Sequence, residues 1–256
     1  MGILNVTPDS FYDGTPDAAV QDLVEKALKM TADGADIIDV GGMSTRPGAT
    51  EISDQEEIDR VIPVIDALLQ KDQQCYVSID TFKSSVAREA LAHGASMVND
   101  VSGGSRDNEM HKLVAAEQVP YVLMHMRGTS KTMNSLDEYD DLMMDLVTFF
   151  KNQSENLANL GYRDCLILDP GIGFAKNPDQ NFKLISELSQ FKTLNLPILV
   201  GLSRKSFIYK SLGVDPSQAL TGTIAMNMMA IQQGADILRV HDVKEAVQVV
   251  QLSSKM

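Results

Sequence analysis

Residues 33–40 read Asp33-Gly34-Ala35-Asp36-Ile37-Ile38-Asp39-Val40, and their opening returns as His93-Gly94-Ala95-Ser96-Met97-Val98 and Gln233-Gly234-Ala235-Asp236-Ile237-Leu238. Glycine is the usual left-handed residue just past a helix C-terminus. An apolar run follows each time, so the pattern marks a turn from helix to strand and its meaning is structural. Working outward from these turns, the chain shows short apolar runs at Gly2–Val6, Asp36–Val40, Tyr76–Asp80, Met97–Val101, Tyr121–His125, Leu166–Asp169, Ile198–Gly201 and Ile237–His241. They are nearly continuous rather than alternating, as parallel strands buried on both faces require. Helical patterns lie between them, among them Ala18–Ala32, Asp54–Leu69 and Leu142–Leu160. Strand and helix alternating in this way over 256 residues predict an α/β fold, a TIM-type (β/α)8 barrel, rather than an open doubly wound sheet. With no linker or low-complexity stretch, a single domain is expected over residues 1–256.

Composition narrows the function. A net charge of -13 leaves nothing to neutralise a phosphate backbone, so a nucleic-acid partner is not expected, nor is an anionic membrane surface. Trp is absent and aromatics are sparse, which removes stacking platforms for single strands. Cys75 and Cys165 are too few for a disulfide framework and form no CxxC pair; each opens an apolar run, and buried reduced thiols are expected. No stretch approaches the roughly 18 apolar residues of a membrane span, and Met1–Ser10 carries no basic segment leading into a long apolar one. The chain reads as cytoplasmic. There is no dense His/Cys cluster for a structural zinc.

The informative feature is what ends each run: Asn5, Asp39, Asp80, Asn99 with Asp100, His125, Asp169, Lys205 just past the seventh, then Arg239 and His241. In a (β/α) barrel these ends converge on one mouth, where active sites are built. Buried carboxylates, amides and cations are costly unless paired with each other or with a ligand. Any one of them is easily a cap or a loop ion pair, but a full set is hard to explain that way. Asp80, Asp169, Asn99 and Lys205 suit a planar heterocycle with several donors and acceptors, since a carboxylate accepts two hydrogen bonds side by side and so matches an aminopyrimidinone edge. Arg46, Arg239 and His241, with Asn5, suit a diphosphate. Alternatives stay open: an inward salt bridge for Arg239, a helix cap for His241 (with Asp242 the better cap), and a packed core histidine for His125. His93 and His111 are expected at the surface, and Met226, Met228 and Met229 in the core.

Two loops look too specific to be plain connections. Asn5-Val6-Thr7-Pro8-Asp9-Ser10-Phe11-Tyr12-Asp13-Gly14 follows the first run, and Gly41-Gly42-Met43-Ser44-Thr45-Arg46-Pro47-Gly48 follows the second. Glycine-rich loops bring backbone N–H groups to phosphate, and both loops read as lids over the mouth.

These motifs, with Leu168-Asp169-Pro170-Gly171-Ile172-Gly173-Phe174, Ser203-Arg204-Lys205-Ser206 and Arg239-Val240-His241-Asp242, resemble those of the dihydropteroate synthase family, in order and spacing over essentially the whole chain. The resemblance implies a folate-pathway transferase and sulfonamide target. Such an enzyme condenses (7,8-dihydropterin-6-yl)methyl diphosphate with 4-aminobenzoate, giving 7,8-dihydropteroate and pyrophosphate. It implies that Thr45, Asp80, Asn99, Asp169 and Lys205 hold the pterin. Asn5, Arg46, Arg239 and His241 then bind the diphosphate, with Asn5 near Mg2+, the implied cofactor. Phe11, Pro47, Phe174 and Ser206 frame the aminobenzoate, and Asp80, Lys205, Asp13 and Arg239 serve catalysis, Asp13 by stabilising positive charge at the pterin methylene. A homodimer through the last helices is also implied, with part of the methionine stripe at the contact. Met43 stands where many members carry Glu, and as a loop residue it is expected to have modest effects. The rival readings are a pterin-binding methyltransferase barrel, which would not need the diphosphate cations, and a catalytically weak pterin-binding protein.

Overall fold

The computed structural model describes residues 1–6, 16–44, 50–129 and 131–255. Its parallel strands are β1 (Gly2–Asn5), β2 (Ile38–Gly41), β3 (Val77–Asp80), β4 (Met97–Asp100), β5 (Tyr121–Met124), β6 (Leu166–Asp169), β7 (Leu199–Val200) and β8 (Ile237–Leu238). The first six form one sheet in chain order and the last two pair with each other. Parallel bridges Leu168–Ile198 and Gly2–Val240 join the two sheets into a closed ring, which is the expected barrel. Around it run α1 (Pro16–Ala32), α2 (Asp54–Lys71), α3 (Ser84–Ala92), α4 (Met110–Glu117), α5 (Leu142–Asn159), α6 (Pro178–Ser186), α7 (Ser206–Leu212), α8 (Leu220–Gln232) and α9 (Val243–Ser253).

The eight expected strands all form; β6 matches its apolar run and the others are shorter than theirs. β7 and β8 keep only two residues each of ladder. The residues that fall away lie at the rims, where the chain turns toward a helix and the ladder loses its partner. The recurrent turn behaves as its sequence predicts. Gly34, Gly94 and Gly234 have φ of +102°, +100° and +96°. In each case the next N–H reaches back to close the helix: Ala35 to Met30 O, Ala95 to Ala90 O and Ala235 to Ala230 O, all at 2.9 Å. Helix starts are capped equally locally. The Ser53 hydroxyl accepts from Glu56 N at 3.1 Å, and Asp54, Glu56 and Glu57 sit in the first turn of α2, where the helix dipole favours acid.

The core has two layers. The larger lies between strands and helices. The smaller fills the barrel from Met1, Met97, Val122, Ile167 and Leu199, with Ile37 and Ile237 packed against it. Strand side chains alternate, so residues two further along face the same interior, one step nearer the mouth. Those residues are Ile3, Asp39, Asn99, Met124, Asp169, Gly201 and Arg239. One period-two pattern thus makes an apolar floor and a polar layer above it.

Candidate active site

The polar layer is organised around Arg239. It leaves β8 and donates from Nε to Asp39 Oδ2 at 2.6 Å and from Nη2 to Asp80 Oδ2 at 2.5 Å. Asn99 Nδ2 donates to the same Asp39 oxygen at 2.9 Å. Asp80 and Asn99 are register partners on adjacent strands, which is why they emerge side by side. Gly41 leaves room for them, since a Cβ there would stand 3.3 Å from Asp80 Cβ. The inward salt bridge left open as the alternative for Arg239 is therefore formed, with both Asp39 and Asp80.

Burial sets the charges. Asp80 is pushed up to about 7, chiefly by desolvation, against the lowering effect of Arg239. Burial likewise raises Asp169, although Gly171 N–H donates to its Oδ1 at 2.8 Å and Lys205 opposes the shift. Lys205 is lowered to about 8 by desolvation, with Asp169 pulling the other way. Burial disfavours the Arg239 charge, but Asp39 and Asp80 outweigh it and raise its pKa. Asp39 Oδ1 and Asp80 Oδ1 are buried and have no hydrogen-bond partner among the described residues. Left unmet, each is expensive, so the layer is arranged for a ligand that brings N–H donors.

The residues expected around an aminobenzoate are partly described. Lys205 Nζ stands 4.3 Å from the centroid of the Phe174 ring, a cation–π contact. Gly173 makes this possible: its φ is +82° and a Cβ would lie 3.2 Å from Lys205 Cδ. Ser206 is exposed at the start of α7. Asn5 is exposed at the end of β1, and His241 is exposed just past β8 with its N–H donating to Ser203 Oγ at 3.3 Å. Phe11, Asp13, Thr45, Arg46 and Pro47 lie outside the described residues.

The chain matches the pterin binding enzyme family over residues 1–241. It is 45% identical to the dihydropteroate synthase of Escherichia coli K12, covering 98% of this chain and 89% of that one. It is also 45% identical to that of Synechocystis, covering 100% and 89%. The chain belongs to the dihydropteroate synthase family. Its structure superposes on the Yersinia pestis dihydropteroate synthase solved with a sulfonamide drug, with a TM-score of 0.93 and 43% identity over 100% of this chain and 92% of that one. A Xanthomonas albilineans dihydropteroate synthase, solved with 4-aminobenzoic acid, gives 0.91 at 40% identity, covering 100% and 91%.

Within this dihydropteroate synthase frame several expectations need correction. Asp100 is not a mouth residue: it accepts from Ser102 N at 2.7 Å, Gly104 N at 2.8 Å and Tyr121 Oη at 2.8 Å, and so anchors the turn after β4. Asp242 occupies the N-cap position of α9 without a side-chain cap bond. Its carboxylate instead takes Arg204 Nε at 3.1 Å and Nη2 at 2.8 Å, tying the loop of Lys205 to that of His241. Met43 is buried with Phe82, Val101 and Met124, not loose in its loop. His111 packs edge-on to Tyr121 with ring centroids 5.7 Å apart, and Cys165 is exposed because it sits in the turn ahead of β6. His125 is a packed histidine, held down to about 2 by burial, then by Lys176 and Arg127. Lys176 was missing from the expected site. It lies beneath the loop after β6, and no strand end announces it.

Proposed function

We infer that this protein condenses (7,8-dihydropterin-6-yl)methyl diphosphate with 4-aminobenzoate, releasing pyrophosphate and 7,8-dihydropteroate. The observation that carries the reading is the pair of buried acceptors, Asp39 Oδ1 and Asp80 Oδ1, beside Arg239, Asn99 and Lys205. An aminopyrimidinone edge offers the donors these oxygens lack. Asp39 and Asp80 hold Arg239, while Asp169 faces Lys205 and Lys176. These carboxylates would stabilise positive charge as it develops on a bound heterocycle. The C–O bond at the pterin methylene breaks with its electron pair leaving on pyrophosphate. The arylamine nitrogen then bonds to the methylene and gives up a proton. No covalent enzyme intermediate is needed.

The family resemblance assigns the diphosphate to Asn5, Arg46, Arg239 and His241 and a pterin contact to Thr45; of these, Asn5 and His241 stand exposed at the end of β1 and just past β8. The same resemblance assigns the aminobenzoate to Phe11, Pro47, Phe174 and Ser206 and charge stabilisation at the pterin methylene to Asp13. Mg2+ fits a site of this kind. No group of three or more metal-binding side chains occurs among the described residues, and Mg2+ typically takes one or two protein oxygens with substrate phosphates and water. The Asn5 amide oxygen would supply one ligand, and the ion, when bound, neutralises charge on the leaving diphosphate. Exposed Met229 on α8, with Val250 and Leu252 on the adjoining α9, supports a homodimer through these helices. Two unpaired cysteines suit the cytoplasm. Among the described residues no helix is long and apolar enough to cross a membrane.

The test follows pyrophosphate release and product mass with both substrates and Mg2+. Turnover is expected to need all three and to stop on chelation with the melting temperature unchanged. Tight pterin binding without turnover would sink the reading and favour methyl transfer or a binding-only protein.

A further inference from the structure

Lys176 is only 8% exposed, yet it makes no ion pair among the described residues. Its ammonium has three partners: Phe174 O at 2.9 Å, Gly171 O at 3.1 Å and His125 Nδ1 at 3.2 Å. A buried cation held only by neutral acceptors is costly, and apolar packing would fill the same space more cheaply. The loop it holds is strained. Gly171, Gly173 and Ala175 all have positive φ, at +67°, +82° and +47°, and a left-handed alanine is disfavoured. Such a backbone needs holding. Two other groups contribute: Asn181 Oδ1 accepts from Gly173 N at 2.6 Å, and Tyr139 Oη donates to Ala175 O at 3.0 Å. Among the described residues only Lys176 joins the carbonyl of Phe174 to His125, just past the end of β5.

We propose that Lys176 is a positioning residue for the aminobenzoate side of the mouth, stapling the 171–174 loop to His125 and thereby fixing the Phe174 ring under Lys205. This rests on the condensation reading above. Geometry also makes the staple depend on protonation. An ammonium supplies three donors for three acceptors, with His125 accepting at Nδ1. The neutral amine has two donors, so one contact is lost unless His125 changes tautomer and donates instead. The groups facing Lys176 are Asp169, which favours its charge, and Lys205 and Arg127, which oppose it; with burial as the largest cause, they lower Lys176 to about 7. His125 stays neutral throughout, being held down to about 2.

The experiment compares wild type with Lys176→Met from about pH 6 to about pH 8.5, a span that brackets the lysine titration. KM is measured for each substrate separately, alongside amide hydrogen-exchange protection of residues 171–175. At the acid end Lys176→Met is expected to raise KM for 4-aminobenzoate about 10-fold, leaving that for the pterin diphosphate within about 2-fold. Wild type should show a rise in aminobenzoate KM centred near neutrality that the variant lacks, and the variant's loop protection should fall at every pH. Equal changes in both KM values, unchanged loop protection, or a flat wild-type profile would overturn the proposal. Should Lys176→Met fail to fold, Lys176→Arg takes its place: its side chain stays charged across this span, so its aminobenzoate KM should stay level where wild type rises, and a rise equal to that of wild type would overturn the proposal. Should wild type make no dihydropteroate, the condensation reading falls, and loop exchange in the two proteins still decides the role of Lys176.

Discussion

Replacing Arg239 with methionine removes the one cation among the described residues that touches both Asp39 and Asp80, while keeping the volume of the side-chain stem. Both carboxylates are buried, at 0% and 8% exposure, and the guanidinium lies 2.6 Å and 2.5 Å from them. Breaking a buried pair by removing one partner costs about 3–5 kcal/mol, because the other charge is left uncompensated. The variant can relieve this by holding a proton between the two acids. Asp80 already stands at about 7 with Arg239 present, and loss of the guanidinium moves it higher. A carboxylate whose folded pKa is raised binds a proton that the unfolded chain does not, so stability falls as pH climbs from the unfolded value to the folded one. Wild type completes that fall near 7, whereas the variant continues beyond it. The gap between them is therefore level below about pH 7 and widens above it by about 1.4 kcal/mol per pH unit. Urea melts at about pH 6, 7 and 8, extrapolated linearly, measure this gap. A gap below about 1 kcal/mol, or one that stays constant between about pH 7 and 8, would refute the account of the polar layer as a charge-balanced unit.

Three further outcomes follow from the same geometry. Lys205→Met is expected to lower kcat/KM for the pterin substrate about 100-fold. Since Lys205 is lowered to about 8, wild-type kcat/KM should decline as pH rises through that value, and the variant should not show the decline. Gly173→Ala places a side chain at φ +82° and crowds Lys205, so a stability loss of about 1–2 kcal/mol is expected with a raised KM for 4-aminobenzoate, measured by melts and kinetics. Met43→Glu would set a carboxylate among Phe82, Val101 and Met124; a loss of about 3 kcal/mol at neutral pH is expected, shrinking in acid as the group protonates, and an unchanged melt would contradict the burial of Met43.

How much of this was legible in the chain follows from what each feature depends on. The barrel was readable because its turns and strands are local: Gly34, Gly94 and Gly234 each close a helix by bonds spanning a few residues, and a buried parallel strand needs only a short apolar run. The polar layer was readable because period two carries strand interiors from apolar floor to charged mouth, as Ile37 to Asp39 or Ile237 to Arg239. Met43 was misjudged for the opposite reason. Its neighbours Phe82, Val101 and Met124 follow or end three other strands, and nothing in a glycine-rich loop reveals what will close over it. His111 and Asp100 were misread for the same cause, since their partner Tyr121 comes from a different strand.

Lys176 shows where linear reading stops. In sequence it is a basic residue just before the Asn177 cap of α6, a place where a solvated lysine is ordinary. Its burial comes from three left-handed residues in the preceding loop, one of them an alanine that propensity would not place there. Local rules fail at sites where strain is held for a purpose, and the failure itself is informative. The charged residues at strand ends were found because their cost is visible wherever they sit. The lysine beneath them was missed because its cost exists only after the loop has folded over it. Residues that contact a substrate can thus be read from pattern, while those that hold such residues in place must be read from backbone conformation. In this barrel the second kind gathers in the loop after β6, between Asp169, which takes the Gly171 N–H, and Asn181 on α6, which takes that of Gly173.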